Sequence, residues 1–243
     1  MLDETEPPVA VSDERVAWGP KEIAQAVGLA VAGLLFVGAT VALVAAVAGL
    51  TLSDSQVLGV GLVATLFLDM GLFGLAALFS VGKYHLRWST LGFRPLALDR
   101  SWVIVATVVG IFAVVLVYGI VVQLLGLDDL LPQSTLGEDL FDNRVLVVVA
   151  GLLAVVTAPL AEETFFRGFL FGGLVKRLGV FWAALASGFL FSLAHGEPTT
   201  MLPFTVVGML LAWAYLYTGS LWTSIGAHFL FNLISYSVSV GGW

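Results

Sequence analysis

Three short polar clusters interrupt runs of apolar residues: "EETFFR" (Glu162 to Arg167), "FSLAH" (Phe191 to His195) and "HFLFN" (His228 to Asn232). Glu163 and Arg167 are four apart, so on a helix they share a face and can pair. Glu162 lies about 100° round the helix, without that partner. Phe191 and His195 share a face by the same spacing, as do His228 and Asn232. A carboxylate and an imidazole can activate a water held between them. A second imidazole and a carboxamide can donate hydrogen bonds to an oxyanion. Glu162, His195, His228 and Asn232 therefore suit hydrolysis of an amide. The same types allow a second chemistry: Glu162, His195 and His228 as ligands of a divalent metal such as zinc, with one position open for water. No "HExxH" occurs, so the zincin motif is absent. The bland alternative is a buried ion network and polar glue between helices.

These groups lie in a chain built for a bilayer. Of 243 residues 59% are hydrophobic and only 11% charged, with mean hydropathy +1.02. A soluble domain carries roughly twice that charge. Apolar runs predict an all-α bundle of about seven spans, at 23–51, 56–81, 102–126, 145–175, 179–196, 200–218 and 221–239. Charges in hydrocarbon are costly, so intramembrane ionisable residues face a protein interior or a water-filled cavity and are functional candidates. Spans four and five predict a hairpin turning near Leu178, which places Glu162 and His195 at matching depth, roughly 24–26 Å from the tip. His228 lies only about 12 Å beyond the turn near Ser220. The groups meet only if the hairpin projects beyond that turn.

Lys and Arg placement sets the expected orientation. Arg15, Lys21, Lys83, Arg87, Arg94, Arg100, Lys176 and Arg177 fall on one side if the spans alternate, and Arg144 on the other. The N-terminus is then cytoplasmic and the C-terminus outside. Residues 1–22 form an acidic tail, 23–126 an N-terminal group of helices and 145–239 the core. The first apolar run is too long for a signal h-region and reads as a retained helix. The chain has no cysteine, which excludes disulfides and thiolate chemistry. No basic patch marks a nucleic-acid partner. Asp69, in "FLDMGLF", fits no motif; it either bonds to a neighbouring helix or faces a cavity. Glu197 is expected at a solvated rim.

In order, the clusters match EExxxR, FxxxH and HxxxN. That signature resembles the CPBP intramembrane proteases, which include type II CAAX-prenyl endopeptidases and relatives linked to bacteriocin processing and self-immunity. The segment "LGFRP", Leu91 to Pro95, resembles a stretch common before their core. The resemblance covers residues 144–239 and that loop. It implies a helical bundle in the cell membrane with a cavity open to the cytoplasm, acting on a peptide or protein substrate that is prenylated in some relatives. Glu162 would be the principal carboxylate, with His195 helping to activate water and His228 and Asn232 stabilising the oxyanion. Glu163, Arg167 and Phe191 would support them. The family is often called metalloprotease, with a metal-free, glutamate-activated water as competitor. Two other classes remain: a non-catalytic partner-binding or immunity protein, and an ion-coupled transporter. The paired repeats and broken helices of transporters are not evident.

Overall fold

A computed structural model describes residues 16–47, 54–131, 140 and 143–241. Among them are eight α-helices and no strand. These are α1 (Pro20–Val47), α2 (Asp54–Ala77), α3 (Trp102–Leu124), α4 (Arg144–Leu152), α5 (Ala158–Glu163), α6 (Gly172–Ala194), α7 (Met201–Thr218) and α8 (Leu221–Gly241).

Five stretches are long and apolar enough to cross a membrane: Pro20–Val47, Gln56–Gly82, Leu98–Leu124, Arg144–Ala194 and Pro198–Thr218. The chain is an integral membrane protein. The expected fourth and fifth spans form one of these stretches, divided at Gly179, where φ is 76° and ψ 168°. That turn lies one residue from the predicted tip. The expected seventh span is α8, which falls outside the five; Ser224, His228, Asn232 and Ser235 dilute its apolar run.

Span four is not a straight α-helix. Wide π turns at Leu153–Thr157 and Thr164–Phe171 flank α5. A π turn frees carbonyls that an α-helix would use, and in a bilayer each must find another donor. Here side chains supply them. Asn232 Nδ2 donates to Ala154 O at 2.7 Å, Ser187 Oγ to Phe166 O at 2.8 Å and Trp18 Nε1 to Phe169 O at 2.8 Å. The π turns thus tie α8, α6 and the N-terminal segment to the helices that carry the glutamates.

Residues 16–22, assigned above to the tail, belong to the fold. Trp18 is buried against Phe169. Glu22 reaches back to the Gly19 N–H at 3.0 Å, which caps α1, and pairs with Lys83 at 2.7 Å and the Tyr84 hydroxyl at 2.9 Å. The rest of the tail, 1–15, lies outside the described residues.

The bundle has two unlike ends. Lys21, Lys83, Arg87, Arg94, Arg100, Lys176 and Arg177 occupy one end, where Leu221 N–H donates to Gly92 O at 2.7 Å and Ser220 Oγ to Arg94 O at 2.6 Å. The other end holds Asp128, Asp129, Arg144, Glu197 and the end of α8. There the Tyr118 hydroxyl donates to Thr199 O at 2.9 Å and the Tyr236 hydroxyl to Val147 O at 2.6 Å.

Candidate active site

Each side chain of the site is set by a local feature of its helix. Glu162 and Glu163 end α5, just before the second π turn. Glu163 and Arg167, both fully buried, pair at 2.7 Å as the spacing predicts. Arg167 also donates to Gly208 O at 3.2 Å and lies 4.4 Å from the Phe191 ring centroid. His195 caps α6, which stops because Gly196 adopts φ 71° and Pro198 follows. Its Nδ1 donates to Phe191 O at 2.8 Å, because a carbonyl can only accept. In the neutral ring Nε2 is therefore an acceptor. His228, on α8, donates from Nδ1 to Glu163 Oε1 at 2.9 Å, and its Nε2 lies 4.0 Å from Glu162 Oε2.

The two glutamates are held differently. Glu163 Oε1 meets a guanidinium and an imidazole, while its Oε2 has no hydrogen-bond partner. Glu162 Oε2 is buried with no hydrogen-bond partner and has only the His228 ring 4.0 Å away. Glu162, His195, His228 and Asn232 line one cavity of about 670 Å³, together with Asp69, Phe191 and Glu197. Helix counting matched Glu162 with His195 and brought in His228 only if the hairpin projects; the structure brings all of them to a single cavity. Asn232 spends one amide hydrogen on Ala154 and keeps the other. Phe191 packs edge-on to His228 and beside His195, with ring centroids 5.8 and 4.6 Å away. Asp69 faces the cavity, the second of the two options its sequence left open.

Residue type alone missed two contributors. Phe204 packs edge-on to His195 at 5.0 Å, and Gly208 supplies a backbone carbonyl to Arg167. One signal was available. Gly188 lies eight residues before Gly196, and Gly208 eight after Thr200, so on antiparallel neighbours the two glycines fall opposite each other. There the helices touch: a methyl on Gly208 would sit 2.5 Å from Gly188 Cα, and one on Gly188 would collide with Thr205 O.

The donors suit a metal by type but not by placement. Among the described residues no three His, Asp or Glu side chains gather as a metal site. Glu162 and His228 are 4.0 Å apart, wider than two ligands of one zinc at about 2.0–2.1 Å each would normally stand. No step below is routed through a metal.

A polytopic helical membrane protein with a buried Glu–His–Asn cavity is the class that fold and site define. Residues 144–234 match the family described as "Type II CAAX prenyl endopeptidase Rce1-like". That match spans 91 of the 243 residues and contains the three motifs, so this part of the chain is similar to that family. An 81-residue stretch, 33% of the chain, is 31% identical to "Putative membrane peptidase YdiL" of Bacillus subtilis (strain 168) and spans 33% of that protein. No solved structure matches.

Proposed function

We propose that the protein is an intramembrane endopeptidase in which Glu162 is the general base. A water between Glu162 and His195 gives a proton to the Glu162 carboxylate and its oxygen attacks the scissile carbonyl. The remaining Asn232 amide hydrogen, and Nε2–H of His228 when that ring is doubly protonated, stabilise the oxyanion. Glu162 then passes the proton to the leaving amine. Glu163 and Arg167 orient His228. The observation that carries this reading is the difference between adjacent glutamates: Glu163 is ion-paired behind the wall, and Glu162, with no ion pair to Arg167, lines a cavity with two histidines.

The test is a panel of peptides, prenylated and unprenylated, with and without chelator, incubated with purified protein. Glu162→Ala and His195→Ala should each lower cleavage by more than about a hundredfold, the usual scale of acid–base assistance, while the protein stays monodisperse in detergent. Wild-type rates in either variant remove that residue from the mechanism.

We propose that the N-terminus is cytoplasmic and that the cavity opens at the opposite face. The cavity reaches Glu197, Thr199 and Ser239, at the end opposite Lys83, Arg87, Arg94, Arg100, Lys176 and Arg177. The positive-inside rule then puts the mouth on the outer face. We adopt that orientation, in which substrates are peptides presented from outside. The cysteine-free sequence allows a direct check. With an impermeant maleimide, Glu197→Cys should label in intact cells and Lys176→Cys only after lysis. The reverse pattern restores a cytoplasmic mouth.

A further inference from the structure

Asp69 has no part in the chemistry proposed above, yet it is only 2% exposed. It sits on α2 with Thr65 and Leu68, on the wall of the same cavity. Its Oδ2 is buried without a hydrogen-bond partner, as is Glu162 Oε2. A carboxylate placed inside a bilayer protein and left without a donor stabilises nothing in the fold by itself. It is an acceptor waiting for a donor brought by something else.

The rest of the wall points to the chemistry of that donor. Among the described residues three carboxyl groups line the cavity, those of Asp69, Glu162 and Glu197, and neither a lysine nor an arginine does. Arg167 is near, but its guanidinium is bound to Glu163 and Gly208 behind the wall. A free peptide carboxylate close to the cleaved bond would meet three carboxyl groups and neither an ammonium nor a guanidinium from the described wall. An ammonium or guanidinium would find a desolvated acidic partner, where charge-assisted hydrogen bonds are strongest.

We infer that the cavity selects peptides bearing a cationic group beside the scissile bond, and that Asp69 is the residue that holds it. The inference rests on the proteolytic reading, with Glu162 as base and Asp69 as the neighbouring specificity group. The chemistry is a protonated amine or a guanidinium, supplied by a Lys or Arg side chain or by a free peptide N-terminus.

The test uses full-length protein in lipid nanodiscs and N-acetylated, C-amidated peptides that differ at one position, walked along the sequence as Lys, Arg, norleucine or Glu. At one position Lys and Arg peptides should be cleaved with kcat/KM at least about tenfold above norleucine, roughly one charge-assisted contact. Asp69→Asn should cut that advantage to about twofold or less, mainly through KM, and Asp69→Glu should restore part of it. Equal use of Lys, norleucine and Glu by the wild type, or an unchanged ratio in Asp69→Asn, overturns the inference. A norleucine peptide left unacetylated separates the sources: if it gains as much as the Lys peptide, the N-terminal amine is the ligand.

A second arm does not depend on turnover. Binding of the same peptides to Glu162→Gln should favour Lys and Arg by a similar ratio, and adding Asp69→Asn should erase the preference. If no peptide is cleaved, the proteolytic reading fails, while this binding ratio still decides the role of Asp69. Binding that is indifferent to charge, or that favours Glu, overturns it.

Discussion

Helix α1 and the α6–α7 pair are both rich in Leu, Val, Ala and Gly, and they have opposite fates. In α1 only Glu22, Ile23 and Ala26 are buried, all in its first two turns, and none of its most apolar window is. In the Pro198–Thr218 stretch 44% of the corresponding window is buried, although it is the less hydropathic of the two. In water burial follows hydrophobicity. In a bilayer lipid tails are as apolar as leucine, so hydrophobicity says only that a helix is in the membrane. What marks the packed interior is the small residue that admits a neighbour's backbone and the polar group that must find a partner.

The largest break in this comparison should come from the polar group. Arg167→Ala removes the guanidinium that pairs with Glu163, caps the Gly208 carbonyl and lies over Phe191. Glu163 keeps only His228. Removing one partner of a buried pair costs about 3–5 kcal/mol. The melting temperature in detergent should fall sharply, and activity with it, since His228 loses its orientation. Arg167→Lys should recover only part, because an ammonium does not reproduce the fork that reaches both Glu163 and Gly208. Wild-type melting in Arg167→Ala would show that the pair contributes nothing.

Next comes the backbone contact. Gly208→Val places a branched side chain where even one methyl is 2.5 Å from Gly188 Cα. Backbone cannot move aside as a flexible side chain does, so the cost should reach or exceed about 1–3 kcal/mol, the usual range of overpacking. It should appear as a melting temperature below wild type and above that of Arg167→Ala.

The same distinction explains what the sequence disclosed. The first six spans were legible because length and hydropathy decide them, and α8 stands apart because its polar residues dilute its apolar run. The Glu163–Arg167 pair was legible because both partners lie on one helix at a fixed spacing. Counting residues from the hairpin turn matched the depths of Glu162 and His195, and Gly179 stands beside the predicted tip; His228 joined them only on the condition that the hairpin projects. The π turns were not legible, because they are set by side chains on other helices that take up the freed carbonyls, as Asn232 does at Ala154 and Trp18 at Phe169. For the same reason residues 16–22 read as tail. Trp18 is a lone aromatic beside a charged stretch until the surface of Phe169 and Gly173 is known. The side on which the cavity opens was not legible, because depth from a turn fixes where residues meet, and not from which end that point is reached.

The smallest effect tests the other half of the comparison. Gly28, Gly33 and Gly38 of α1 have no heavy atom within 4 Å of where a Cβ would stand. Alanine at each should therefore meet no obstruction, and by helix propensity is neutral or favourable by up to about 1 kcal/mol. The triple variant Gly28→Ala, Gly33→Ala, Gly38→Ala should melt at or slightly above wild type and cleave the peptide panel at the same rate. A fall as large as that of Gly208→Val would mean that α1, round which these three positions are spread, lies against another surface rather than lipid. Glycine would then mark packing in both regions, and the contrast between a lipid-facing helix and a packed core would not hold.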